Sequence, residues 1–461
     1  MKNLISSATQ TLILLITSAG LLPLKAQVVV SSPQNNSQIA SPVHYLASAT
    51  SPQCPKGITD MRIYLAPHVA AYNVPSSTLD TSLSLTPGTY KTVVQAFDAC
   101  GGITKTPVNF TVTAPGLKPV RFLYLADTNF WRLFGFKVDP STGVPTATPQ
   151  ALISYPPGTG PNALASDAGG YRLYVSAEGL HAYFINRANG NLTEAPGSPV
   201  MVPAGVGQLA VHPSGKFVFV ASGNGILVFR VKSNGSLSGV NSTPVPVQGG
   251  LRNIVADPSG KYLYALSEDA NSIDAFEIDT NSGELTPVPG SPYIMRKPFS
   301  TCDQYPFGCD TTDVADDYGR FLYVTETFGE AVQAYGISRT TGTLTNLPGS
   351  PFPSQAPLSV YAEPTGRFLY VLTVFSGVSQ YAINAGDGTL THVRDIPVGA
   401  SPYRMRGDPS GKFLYVRANG TYGDFIGGYA IDPVSGNLTA LPGSPFTIGQ
   451  YVIFFEFVLT P

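Results

Sequence analysis

From residue 120 to the C-terminus, short apolar runs alternate with polar turn clusters at a nearly fixed spacing. Runs of the FLYV type begin at Phe122, Arg172, Phe217, Tyr262, Phe321, Phe368 and Phe413. A DPSGK-like turn precedes them at residues 257–261, 363–367 and 408–412, with a variant at 212–216. A "G.LT"-like step follows six of these runs, often with PGSP after it. The leucines of that step, Leu192, Leu237, Leu285, Leu344, Leu390 and Leu438, lie 45, 48, 59, 46 and 48 residues apart. A period in the forties that carries several short strands is the mark of propeller blades. The pattern therefore predicts an all-β chain ending in a seven-bladed β-propeller, with six or eight blades as the alternatives.

Each repeat reads as four strands. The innermost ends at the DPSGK turn, the FLYV strand follows, then a third strand, and the outer strand begins after the G.LT turn. Glycine in these turns supplies backbone angles that other residues resist, so repetition alone accounts for the glycines and no phosphate loop is read into them. The last segment, 451–459, is a β-rich run with no turn after it, and the first repeat lacks an innermost strand. Ring closure solves both: the C-terminal strand becomes the innermost strand of the first blade and removes exposed sheet edges.

Residues 27–115 follow a different pattern. Six or seven β-rich runs, separated by clusters such as SSPQNNS and TPGT, predict a small immunoglobulin-like sandwich, joined to residues 120–461 by a linker at 116–119. Residues 1–26 read as an export signal: Lys2, a broken apolar stretch over 12–24, and Ala26 before the cut. The stretch is too short and interrupted for a membrane span. The expected location is secreted or periplasmic. Four cysteines fit an oxidising compartment, and the pairs Cys54/Cys100 and Cys302/Cys309 each stay within one expected domain, favouring two local disulfides. The rival reading is metal binding, for which neither pair has a zinc-like spacing.

Composition narrows the function. Only 12% of the 461 residues are charged and the formal net charge is −2, with 47 Gly and 41 Pro. No basic run offers a nucleic-acid footprint, and nothing calls for a cofactor or an integral membrane protein. The remaining partners are a small carbohydrate or lactone, or a surface glycan or protein.

Propellers bind ligands on loops at one channel mouth, and in this geometry the loops entering the innermost strands share a face with those leaving the FLYV strands. That assigns Arg252, Glu268, Glu326, Tyr403, Arg417 and Asp424 to the mouth, with Asp127 and Glu178 near it. Arg252 and Glu268 fall nearly opposite each other across one hairpin. A guanidinium there would clamp an anionic group and the carboxylate would orient a water or act as base; the plainer reading is a rim salt bridge. His212 replaces the turn acid and reads as structural, and no His has the spacing of a metal site or triad. Asp310, Asp313, Asp316 and Asp317 offer an oxygen-rich cluster for Ca²⁺ or a solvated turn, with Asp316 and Asp317 placed in the turn itself. The 59-residue interval holds an insertion, KPFSTCDQYPFGCDTTD, braced by Cys302 and Cys309 at the mouth.

The stretch GLRNIVADPSGKYLYALSEDANSIDAFEID, residues 250–279, resembles the repeat of the 6-phosphogluconolactonase-type seven-bladed propellers, the lactonase family. The resemblance implies a lactone hydrolase in which Arg252 and Glu268 match the family Arg and Glu and line a pocket for lactone or sugar-acid ligands. Asn253 stands where the family has His; in the next-to-last innermost strand Tyr403 takes the Arg place and Arg404 the His place. The N-terminal segment resembles Ig-like modules that precede secreted bacterial propellers. The reading that follows is an exported lactonase-like propeller; the alternative is a non-catalytic binding or cell-surface protein using the same mouth for glycan or protein.

Overall fold

The computed structural model describes residues 26–461 apart from 41–42, 67–68, 84, 86–87, 114–118, 148–152, 203–204, 224, 268–270, 296–313, 318, 327–329, 376, 400, 421–422 and 448–453. The chain divides into two compact units, Met1–Thr113 and Ala114–Pro461. All regular elements among the described residues are strands.

The first unit is a two-sheet sandwich. One sheet orders Gln27–Ser32, Val43–Thr50 and Thr78–Leu83 side by side. The other orders Ser37–Ala40, Ile103–Thr113, Gly88–Asp98, Ile58–Ala66 and Val69–Val74. Strict alternation of buried and exposed positions along Val43–Thr50 is the period-2 signature of a half-buried strand. Its inward residues meet Met61, Ile63, Val94 and Phe110 in one core. Cys54 and Cys100 are disulfide-bonded, with Cα atoms 5.9 Å apart, as expected. Cys302 and Cys309 lie outside the described residues.

The second unit is a ring of seven sheets. Blades 2 to 7 begin with the innermost strands Ala163–Ser166, Leu209–Val211, Leu251–Ala256, Val314–Asp317, Pro357–Ala362 and Pro402–Gly407. The innermost strand of blade 1 is Phe454–Thr460, which pairs with Phe122–Asp127 in the register Thr460↔Phe122 to Glu456↔Ala126. Each innermost strand touches that of the next blade, and Phe454–Thr460 touches both Ala163–Ser166 and Pro402–Gly407. The ring is closed by the last strand, as the repeat predicted.

The repeated phrases now have physical roles. In the turn after Leu251–Ala256, the Asp257 carboxylate accepts the backbone N–H groups of Lys261 (3.0 Å) and Tyr262 (3.2 Å). Asp408 does the same for Lys412 and Phe413 at 2.7 and 2.8 Å. The turn's donors are thus satisfied by its own acid, which leaves no cradle for phosphate. His212 fills the same place: Nδ1 accepts the Ser214 N–H and Nε2 donates to the Gly260 carbonyl of the next blade at 2.8 Å. The serines of the PGSP steps, Ser198, Ser291, Ser350 and Ser444, each accept a backbone N–H from the third strand of their own blade.

Adjacent blades are tied by the tyrosine of the FLYV strand. Tyr124, Tyr264, Tyr323 and Tyr370 donate to the carbonyls of Gly190, Gly342, Gly388 and Gly436 in the following blade. The glycine does more than turn the chain. At Gly143, where φ is +74°, a Cβ would sit 2.5 Å from the Phe413 ring of the preceding blade, so glycine is what lets the blades approach.

Candidate ligand site at the propeller mouth

The mouth is built by the starts of the innermost strands and by the loops between second and third strands. Among the described residues, four innermost strands carry an extra residue at this end. In blade 4 the pairing passes from Leu251↔Ser267 to Asn253↔Leu266, which leaves Arg252 in a β-bulge. Blades 6 and 7 have the same device at Leu358 and Tyr403, and the closing strand has it at residue 455. A bulge kinks the strand and re-aims the side chain it carries. The sequence expectation had Arg252 nearly opposite Glu268 in a regular hairpin. The shift instead puts Leu251 opposite Ser267, so Arg252 is presented by the bulge rather than by the ladder. Glu268 itself lies outside the described residues.

Blade 7 assembles three of the expected residues. Arg417, 9% exposed, donates through Nε (2.9 Å) and Nη2 (2.8 Å) to Oδ2 of Asp424, 3% exposed. Its guanidinium carbon stands 4.9 Å from the centre of the Tyr403 ring, within cation–π range. Glu326 is not part of this group. It is buried in blade 5, where Oε1 accepts Gln333 Nε2 at 2.5 Å, and Gln333 in turn accepts the Tyr335 hydroxyl. Burial first, and the Glu326 charge second, push the Tyr335 phenol above its usual range.

A second polar cluster escaped the sequence reading. Glu456 of the closing strand, 2% exposed, accepts Arg404 Nε (3.0 Å), Arg404 Nη2 (2.8 Å) and Arg406 Nη2 (3.0 Å) on one oxygen. Its other oxygen accepts the Phe457 N–H. Two guanidiniums of blade 7 therefore grip the strand that completes blade 1. The signal was present: Arg404, Asn253, Ser359 and Glu456 each stand four residues before the turn positions 408, 257, 363 and 460. Only an alignment that includes the closing strand reveals it. In blade 1, Asp127 is fully buried and accepts Arg132 Nε and Nη2 at 3.3 and 3.1 Å.

Among the described residues, the one group with metal-like geometry is Cys54, Asp98 and Cys100, and its sulfurs are consumed by the disulfide. Asp310 and Asp313 lie outside the described residues. Asp316 and Asp317, expected in the turn, instead pair with Leu322 and Phe321 at the end of an innermost strand, because the ladder extends two residues further than the repeat suggested. A cleft of about 310 Å³ opens at the seam of blades 7 and 1. Leu123, Leu125, Phe136, Ile426 and Phe446 are among the residues that line it, and no charged side chain is.

Seven sheets of four or five strands, zipped by the terminal strand and presenting buried guanidinium–carboxylate pairs at one mouth, define a seven-bladed β-propeller. The family model described as "Lactonase, 7-bladed beta-propeller" matches residues 115–297 and 317–454, and the chain belongs to that family. Among solved structures, a Bacteroides fragilis protein provisionally named a 6-phosphogluconolactonase is similar at 19% identity, covering 75% of this chain and 99% of its own, with a TM-score of 0.57. The periplasmic gluconolactonase of Pseudomonas aeruginosa is similar at 18% identity, covering 74% of this chain and 99% of its own, also at 0.57. At such identities the likeness is one of fold. No curated protein matches the chain. No helix among the described residues is long and apolar enough to cross a membrane.

Proposed function

We propose that this protein is an exported hydrolase of a sugar-acid lactone or a related carbohydrate, working at the propeller mouth. What supports the reading is the β-bulge at Arg252 in the innermost strand of the one blade whose sequence matches the family motif. A water attacks the ring carbonyl, the acyl C–O bond breaks, and the released hydroxy acid loses a proton at neutral pH. Glu268 orients or deprotonates the water. Arg252 holds the anionic part of the substrate and the charge that develops on the carbonyl oxygen.

Tyr403, Arg417 and Asp424, three blades further round the ring, form a second wall that contacts the ligand through the tyrosine. Glu326 fixes the polar lining of blade 5 through Gln333. Export is supported by the leader-like first 26 residues and by the Cys54–Cys100 bond. The rival, a non-catalytic glycan- or protein-binding propeller, draws on Asn253 standing at the family's His place. A panel of aldonolactones, assayed by proton release with and without EDTA, separates the two. Saturable, EDTA-insensitive hydrolysis supports the enzyme, and no turnover of any lactone above the spontaneous rate rejects it.

A further inference from the structure

Blades 7 and 1 repeat one three-part arrangement that lactone opening does not require. In blade 1, fully buried Asp127 holds Arg132, and the guanidinium carbon of Arg132 lies 4.7 Å from the centre of the Phe130 ring. Asp127 Oδ1 also accepts the N–H groups of Asn129 (3.0 Å) and Phe130 (3.3 Å), which ties down the loop that carries the ring. In blade 7, buried Asp424 holds Arg417 against Tyr403 in the same order of acid, guanidinium and ring.

The two are not copies of one repeat. The acid ends the second strand in blade 1 but starts the third strand in blade 7, and the arginine is exchanged accordingly. The same geometry has thus been reached from different positions. Arg132 also lies 5.0 Å from the centre of the Phe134 ring, whereas pairs such as Arg230 with Phe217 and Arg367 with Phe368 lie at the turn end of the blades.

At the mouth end Phe130 is offered outward and Tyr403 is partly exposed. Phe130 is 45% exposed, and in the neighbouring blade 6 the loop after the second strand carries Phe375 at 74% exposure. Phe375, Tyr403 and Phe130 therefore mark three consecutive blades on one rim. A ring with one face against a fixed guanidinium keeps its orientation while the remainder stays poorly hydrated. Such a platform suits a flat partner that is apolar on its face and polar at its edge. A pyranose ring, with its C–H face and hydroxyl edge, has that character. An aliphatic partner would call for a contiguous apolar patch, whereas the exposed Met201 and Ile294 stand in other blades.

We propose that the rim of blades 6, 7 and 1 binds a carbohydrate chain, with Phe375, Tyr403 and Phe130 as successive stacking platforms. Three platforms on three blades exceed the reach of one sugar, so the ligand class is an oligosaccharide rather than a free monosaccharide. The binding stands independently of lactone chemistry; the added statement that the hydrolysed lactone is the end of such a chain rests on the function proposed above.

The test uses the full chain and neutral hexasaccharides of β-1,4-linked glucose, xylose, N-acetylglucosamine and mannose. Binding is read by calorimetry and by the fluorescence of Trp131, the single tryptophan and the neighbour of Phe130. The expected result is binding of at least one hexasaccharide at least ~10-fold more tightly than its monosaccharide. Phe130→Ala, Tyr403→Ala and Phe375→Ala should each weaken it by about tenfold. Phe375 is exposed enough that its variant folds normally. Tyr171→Ala, which removes an exposed ring at the turn end, should leave binding unchanged. No binding by any hexasaccharide at millimolar concentration, equal binding of the monosaccharide, or unchanged binding in Phe375→Ala and Phe130→Ala overturns the inference. Chain binding without lactone turnover sustains it while rejecting the hydrolase; turnover without chain binding does the reverse.

Discussion

The hydroxyl of Tyr415 donates to the carbonyl of Gly143, 2.6 Å away and 272 residues earlier in the chain. It is the member of the tyrosine-to-glycine series that joins blade 7 to blade 1, the two blades that the closing strand brings together. A buried hydrogen bond of this kind contributes on the order of 1 kcal/mol. Tyr415→Phe should therefore lower unfolding stability by about that amount, as should Tyr264→Phe. Tyr174 occupies the same strand position in blade 2, yet its hydroxyl finds no hydrogen-bond partner among the described residues. Tyr174→Phe should be neutral or slightly stabilising in the same denaturant titration.

Glu456 is the charge that Arg404 and Arg406 share. Replacing it by Gln removes the charge that these two partly buried guanidiniums share, a change that typically costs about 3–5 kcal/mol. Chemical unfolding of Glu456→Gln should show a loss of this size, far above that of Tyr415→Phe. A loss under 1 kcal/mol would mean that the closing strand is held by its ladder alone.

His212 should make stability depend on pH. Burial holds its imidazole below the ordinary value of 6.5, only partly offset by the bond to the Gly260 carbonyl. The unfolded chain therefore binds the proton first. Stability is fully present above pH ~6.5 and falls as the pH drops through that value towards the folded pKa. His212→Asn keeps an acceptor for the turn but cannot be protonated. The stability difference between wild type and variant, measured by denaturant titration from pH 7.5 to 5, should shift against wild type as the pH falls; a constant difference contradicts the assignment.

The ring was legible because its cause is local and repeated. Seven apolar runs, the turns before six of them and one orphan terminal strand admit few other closed solutions, and the pairing of Phe454–Thr460 with Phe122–Asp127 is the one they predict. Even His212 could be placed, since it occupies the turn acid's position. The site was legible only in part. Tyr403, Arg417 and Asp424 were assigned to the mouth from strand ends, but their stacking depends on a bulge that adds one residue and leaves no trace in composition. The bulge is also why Arg252 departs from the regular hairpin position. Glu456 went unread because its partners are 52 and 50 residues away and meet it only once the ring has closed. Glu326 was read as ligand-facing because a strand end looks exposed in sequence, whereas Gln333 of the next strand draws it into the blade.

The disulfide Cys54–Cys100 closes a loop over a sequence separation of 46 residues in a small sandwich. On chain entropy alone its removal should cost that unit about 4 kcal/mol. Cys54→Ala with Cys100→Ala should lower the sandwich's unfolding transition in calorimetry and leave the propeller's transition in place.

The most direct test of the functional account is the initial rate of proton release from an aldonolactone, compared between wild type and Glu268→Gln at equal concentration. If Glu268 positions or deprotonates the attacking water, kcat/KM falls by ~10² or more while the variant keeps its unfolding midpoint. An unchanged rate in Glu268→Gln would contradict the account.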